Sequence, residues 1–455
     1  MMRQTVNPTT GKILKTYPEM STEEVSTIIN NAHNAYLSWR HTSFTERAQV
    51  LKNTAKLLRE RKKDYAKLMA LEMGKPITSG QGEIEKCAWV CEYYADNAEK
   101  FLTPRIIKTE MYLSKVCYQP RGIVFAIMPW NFPFWQVFRF ACPTLMAGNT
   151  GLLAHAPIST GTALAIEELF KDAGCPKDVF RSLIISIEES ARVIANPKVT
   201  AVTLTGSERA GKAVASEAGQ NLKKVVLELG GSDPYLILKD ADLEQAAEAC
   251  VASRMSNTGQ VCIAAKRLLV VDEIREPFEK LIVEKTARYQ MGDPLDEKTN
   301  FGPMARFDLR EQLHKQIEKT ITEGAELVCG GHIPEGEGFF YPPTILRNVK
   351  PTMTACKEEL FGPVITIIPV KDEAEAIKLA NATQYGLAGA VFTKDTARGE
   401  KIATEMIEAG SVSVNTFVAS DPRLPFGGIK LSGFGRELAE EGIREFVNVK
   451  TVSIK

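Results

Sequence analysis

Ala201-Val202-Thr203-Leu204-Thr205-Gly206-Ser207-Glu208-Arg209-Ala210-Gly211 is the stretch that decides the fold class. Residues 201–205 read as a short buried strand, Gly206 as a tight turn, and the run to about residue 218 as a helix. The next strand spans residues 224–229 and ends in Gly230-Gly231, which reads as a hinge. Upstream, strands at 151–154 and 180–185 flank a helix over 160–173 that stops at Gly174. Strands alternating with helices at this spacing indicate a parallel, doubly wound sheet. Beyond the hinge the pattern restarts. Strands are expected at 235–238, 267–271, 364–369, 390–392 and 411–414, with helices at 243–255, 276–289, 310–323, 374–382 and 397–407. The fold class is α/β, with two doubly wound units.

The flanks are different. The first hundred residues read as helices: 22–39 behind the capping box Ser21-Thr22-Glu23-Glu24, then 45–73 and 83–101. Residues 111–119 alternate as a strand, and the tail 447–454 alternates as an edge strand that needs a partner.

At about 150 residues per domain, 455 residues suggest roughly three domains. Lysine plus arginine total 56 and aspartate plus glutamate total 56, so the net charge is zero and the pI is about 7.0. That balance argues against a nucleic-acid scaffold, a polybasic membrane anchor or an acidic tail. Nine cysteines are too sparse for a secreted disulfide scaffold, and none forms a CxxC pair, so no zinc or other metal is expected. Residues 1–8 have no apolar core or cleavage site, so no secretory signal is expected and the reducing cytoplasm is the expected compartment. Residues 122–138 carry no charged side chain, but Pro129, Asn131 and Pro133 work against a membrane helix. A buried strand over 123–128 running into a loop fits better.

Four features carry chemistry. Cys262, in Asn257-Thr258-Gly259-Gln260-Val261-Cys262, follows a helix in a small, polar segment where backbone amides can approach a thiolate. The alternative is a packed core cysteine, which suits the other eight. Glu228 ends an apolar strand at a glycine turn, where desolvation raises a carboxyl pKa and suits a general base. Its alternative is an ion pair with Lys223 or Lys224. The Asn131 amide could donate to an oxyanion, or satisfy its own turn. Gly206 to Gly211 would let a diphosphate approach a helix N-terminus, although the full GxGxxG spacing is missing.

Taken in order, further segments join these: Asn7-Pro8-Thr9-Thr10-Gly11, Pro129-Trp130-Asn131-Phe132-Pro133, Leu227-Glu228-Leu229-Gly230-Gly231, Glu358-Glu359-Leu360-Phe361-Gly362-Pro363-Val364 and Pro425-Phe426-Gly427-Gly428-Ile429-Lys430-Leu431-Ser432-Gly433. With the Cys262 and Gly206 segments, this series resembles the NAD(P)-dependent aldehyde dehydrogenase superfamily over essentially the whole chain. The resemblance implies that Cys262 attacks the aldehyde carbonyl and that Asn131, with the Cys262 backbone amide, holds the oxyanion. Hydride then leaves for the nicotinamide, and Glu228 activates water to hydrolyse the thioester. It also implies a cofactor site of Trp130, Ala154, Gly206, Ser207, Gly211, Leu229, Glu359 and Phe361, with Glu359 on the nicotinamide ribose. The implied domains are dinucleotide-binding (1–104 and 123–228), catalytic (229–424) and bridging (105–122 and 440–455). Residues 425–439 connect back toward the cofactor domain, and a homodimer or homotetramer forms through the bridging element.

The segment from Asn131 to Arg139, together with Ala419 to Arg423, resembles bacterial succinate-semialdehyde dehydrogenases. Arg139, eight residues after Asn131, could bind a carboxylate at the far end of the substrate, with Ser420 and Arg423 bordering the same tunnel. A structural salt bridge at Arg139 is the alternative. The remaining functional alternatives are another aliphatic aldehyde dehydrogenase, an acyl-CoA-forming member, against which Glu228 argues, and a catalytically silent homologue.

One departure stands out. The family usually has a lysine at the position of Ala154 and often a glutamate at that of Pro157. Without either, the choice between NAD and NADP stays open. Ala154→Lys is expected to tighten dinucleotide binding by about 1.5–3 kcal/mol, the typical worth of a hydrogen bond to a charged group. Titration of NAD and NADP on both forms checks this, and equal Kd values would refute it.

Overall fold

The computed structural model describes residues 2–455. Its centre is a pair of sheets. The six-stranded sheet runs in the order Gly433–Phe434, Lys224–Glu228, Val199–Thr205, Ile123–Met128, Thr150–His155 and Phe180–Ser182. Its neighbours are parallel except at Gly433–Phe434, which runs antiparallel to Lys224–Glu228 and sets Gly433 opposite Glu228. The seven-stranded sheet runs Glu326–Cys329, Thr344–Arg347, Val364–Val370, Arg267–Val271, Pro234–Ile237, Ala388–Phe392 and Ser411–Val414. It is parallel except at its Glu326–Cys329 edge. The α/β class expected from the alternation is what the chain adopts. The parallel strands are apolar on both faces because helices cover both.

The charge-free stretch resolves as expected up to a point. Ile123–Met128 is a buried strand, and the loop after it enters the helix Trp135–Met146, every residue of which is buried. That helix packs between the sheet and the helix Ile77–Leu102. Among the described residues no helix is long and apolar enough to cross a membrane.

Three sequence expectations need correction. The chain begins not with helices but with an antiparallel hairpin, Met2–Val6 with Ile13–Pro18. The second of these strands is largely exposed, so no alternation marked it. Strands Glu326–Cys329 and Thr344–Arg347 also form where none was expected: the first is an edge strand with three exposed residues, and the second is buried but only four residues long. The third helix starts at Ile77 and not near 83, because Gly80 and Gly82 hid its first turns. The tail finds its partner in a three-stranded antiparallel sheet, where Val447–Ile454 pairs along the whole of Leu113–Pro120, and Arg105–Ile107 lies beyond.

Candidate active site

The helix Leu243–Met255 ends just before the cysteine loop, and the loop is built from unfavourable backbone. Asn257, Thr258 and Gly259 hold φ of 51°, 56° and 71°, a left-handed run that L side chains resist. Fixed contacts hold it there. Asn257 Nδ2 donates to Asn131 O (2.8 Å) and Thr258 Oγ1 to Gly302 O (3.1 Å). The buried Arg254 guanidinium donates to Gly259 O (3.3 Å), Leu360 O (2.7 Å) and Val364 O (2.6 Å). Only glycine fits at 259, since a Cβ would lie 2.2 Å from the Gly362 carbonyl. The loop of Cys262 is thereby pressed against the Glu358-to-Val364 segment.

Asn131 is 4 % exposed, and its Nδ2 donates to Gln260 O (3.1 Å), two residues before Cys262. The amide serves the cysteine loop and not its own turn. Glu228 ends the strand Lys224–Glu228, is 2 % exposed, and its Oε1 has no hydrogen-bond partner. The ion pair weighed for it does not form: Lys223 donates to Asn196 O and Val199 O, and Lys224 pairs with Glu445. Burial holds the Glu228 carboxyl well above the carboxylate range; Arg139 opposes this and Glu437 adds to it. Burial likewise pushes the Cys262 thiol up to about 11, with Lys266 and Arg139 pulling the other way.

Cys262 lies on a cavity of about 260 Å³ with apolar walls from Phe132, Trp135, Val261, Ile263, Phe417 and Phe426. Ser420 lines the same cavity. Arg139 reaches it too, but its guanidinium forms a buried ion pair with Glu437 and lies over the Phe426 ring. The structural salt bridge is thus the geometry Arg139 adopts, which corrects the expectation of a free cation. Arg423 does not line the cavity. It is 66 % exposed, sits over Trp89 and is bidentate to Asp421 (2.9 and 2.7 Å).

The residues that the resemblance assigns to the cofactor lie along the sheet ends. Gly206 N donates to Glu228 O (2.9 Å), and Ser207 caps the helix Glu208–Gln220 by accepting from Ala210 N (3.3 Å). Leu229 packs on Gly211, leaving no room for a Cβ there. Trp130 meets Phe361 edge-on at 5.9 Å. Glu359 Oε1 accepts from Lys266 Nζ (2.6 Å) and Gly231 N (3.2 Å), while Oε2 lies where a Cβ on Gly230 would be, 2.2 Å away. Ala154 is buried at the strand end. His155 faces away: its Nδ1 accepts from Ala156 N (2.9 Å), so Nε2 carries the proton and donates to Pro133 O (2.9 Å). Burial lowers its pKa to about 4, so it is neutral.

Sequence reasoning missed two buried cations that organise the site, Arg254 and Lys266. Besides Glu359, Lys266 Nζ donates to Gly231 O (2.7 Å) and Cys262 O (2.6 Å). The available signal was a charge inside an apolar run, as in Ile263-Ala264-Ala265-Lys266. A charge so placed is expected to have buried partners.

Two α/β sheets, with a cysteine on an apolar cavity and a buried asparagine tied to the cysteine's loop, define the class by its architecture. The sequence profile of the aldehyde dehydrogenase family matches residues 2–452, and the chain belongs to that family. It is 45 % identical over 447 residues to the succinate semialdehyde dehydrogenase [NAD(P)+] Sad of Escherichia coli K12, covering 98 % of this chain and 96 % of that one. It is 46 % identical over 450 residues to a probable NADP(+) succinate-semialdehyde dehydrogenase of Synechocystis, covering 99 % of each. Among solved structures, the succinic semialdehyde dehydrogenase of Streptococcus pyogenes in complex with NADP+ superposes with a TM-score of 0.97, at 38 % identity and 99 % coverage of both chains.

A base must be ionised to take a proton, so activity that depends on Glu228 is present above its pKa and lost as pH falls through it. Because Glu437 raises that pKa and Arg139 lowers it, Glu437→Gln is expected to move the acidic limb of the kcat/KM–pH profile to lower pH. Arg139→Met is expected to move it to higher pH. Each breaks a buried pair, so a stability loss of about 3–5 kcal/mol should show as a lowered Tm. Acidic limbs unmoved in both variants would disconnect the pair from Glu228.

Proposed function

We propose that this aldehyde dehydrogenase oxidises succinic semialdehyde, or a similar short ω-carboxylated aldehyde, to the carboxylic acid with NAD or NADP. The observation that carries the chemistry is the joining of Asn131 to the Cys262 loop through Gln260 O, with the unpaired Glu228 carboxyl in electrostatic reach of the thiol. The printed activities of the relatives support the substrate class.

The residues present fit the cofactor. A carboxylate oxygen on Glu359, kept close to the chain by Gly230, suits ribose hydroxyls, and the capped helix at Ser207 suits a diphosphate. Glu359, Phe361 and Trp130 would hold the nicotinamide end, and Gly206, Ser207, Gly211 and Leu229 the diphosphate. Ala154 and Pro157 offer the far ribose neither a cation nor an acid. When bound, the nicotinamide supplies the acceptor for the aldehyde hydride.

The chain's own groups do the rest. Cys262 Sγ bonds to the carbonyl carbon, its proton passing to Glu228 directly or through water. The Asn131 amide and the Cys262 backbone N–H donate to the oxygen that becomes negative. Loss of hydride leaves a thioester on Cys262. Glu228 releases the thiol's proton to solvent and then takes one from water, whose oxygen adds to the thioester; the sulfur leaves as thiolate, recovers a proton from Glu228, and the acid is released. We place the enzyme in the cytoplasm as a homodimer or homotetramer. Exposed Ile106 and Val449 on the three-stranded sheet, with exposed Tyr112 just before its middle strand, support that edge as the contact.

The test is cofactor reduction with succinic semialdehyde against butanal, with NAD and NADP, with and without coenzyme A. Turnover that favours the carboxylated aldehyde and ignores coenzyme A is expected. A dependence on coenzyme A would reassign the reaction, and no turnover with either cofactor would refute it. Glu228→Gln should slow both the first turnover and the steady state of cofactor reduction, because it removes the base that serves the thiol and the water alike; a full-rate burst would confine Glu228 to the hydrolysis step.

A further inference from the structure

Counting charges around the Cys262 cavity leaves one cation over. Lys75 forms a buried ion pair with Glu83, whose Oε1 also accepts from the N–H groups of Phe134 and Trp135 (2.9 Å each). Arg139 is paired with Glu437. Asp421, the acid that follows Ser420, is held by Arg423. Lys86 remains. Among the described residues no carboxylate pairs with it, and its Nζ donates to Ser420 Oγ (2.9 Å) while lying 4.3 Å from the centre of the Trp135 ring.

The helix Ile77–Leu102 puts it there. Ser79, Glu83 and Lys86 recur at helical spacing and all line the cavity. Burial, together with the nearby Arg139, pulls Lys86 down to about 8 against the opposing pull of Glu83 and Asp421, each of them already held by another cation, so it still carries its proton at neutral pH. An ammonium partly removed from water without a counter-ion is costly, and an arriving anion offsets that cost. The hydroxyl beside it adds a second donor: Ser420 Oγ spends a lone pair on Lys86, so its own O–H is free to point at the same anion.

We infer that Lys86 and Ser420 form the carboxylate subsite of the cavity, with Lys86 the residue that sets the preference for an ω-carboxylated aldehyde. The inference rests on the substrate reading above. It moves the charge recognition from Arg139, which is committed to Glu437, to a lysine on a different helix.

The test is a KM comparison for succinic semialdehyde and butanal on the wild-type enzyme and on Lys86→Met. Losing a charge-assisted contact should raise KM for the carboxylated aldehyde about tenfold or more beyond any change for butanal. Lys86→Arg should keep most of the wild-type preference. If the wild type prefers succinic semialdehyde and Lys86→Met keeps that preference, the Lys86 assignment is overturned and the substrate reading stands. A wild type that does not discriminate between the two aldehydes overturns both. Should Lys86→Met lose butanal turnover as well, Lys86→Gln is measured in its place against the same outcomes.

Discussion

Arg254 is the group on which the site depends. Its buried guanidinium binds three carbonyls at once, on Gly259, Leu360 and Val364. It thereby clamps a left-handed stretch of backbone to a neighbouring strand. Residues 257–259 would relax into an ordinary turn without such a clamp, because each non-glycine residue there stores strain of order 1–3 kcal/mol. The position of Cys262 follows from that strained loop. So does the close contact of Gly259 with Gly362, which brings the Glu359 segment beside the nucleophile. Lys266 repeats the principle on the other side of the thiol, tying Cys262 O, Gly231 O and Glu359 together through one ammonium.

Desolvation is the second constraint, and it sets the chemistry. The cavity is walled by aromatic and aliphatic side chains, and burial is the largest influence on both Cys262 and Glu228. Burial disfavours the charged form of both groups, raising the Glu228 carboxyl and the Cys262 thiol together. The Arg139–Glu437 pair sits within electrostatic reach of Glu228, pulling its pKa in opposite directions. Lys86 contributes its field at the wall that Ser420 shares.

Much of this was legible in the chain itself. The strand–glycine–helix pattern around Gly206 and its repetition after Gly231 marked two doubly wound units. The Cys262, Glu228 and Asn131 segments singled out the residues on which the proposed chemistry rests. The N-terminal hairpin was not legible, because its first strand is only five residues long and its second is largely exposed without alternation. The partner of Arg139 was not legible either, since Glu437 lies almost three hundred residues away, beyond the second sheet. Arg423 looked suitable by proximity in sequence to Ser420, yet three residues further along this loop its side chain turns outward onto Asp421.

By itself, then, the sequence determined which elements form and which residue types are available for reaction. Both are local properties, written in hydrophobic period, glycine placement and short motifs. Only the tertiary structure decided how the charges are partnered: Arg139 with Glu437, Lys75 with Glu83, Arg423 with Asp421, and Lys86 with no acid among the described residues. Ion pairing depends on distance through space and on the loss of water around each group. Neither quantity is set by position along the chain.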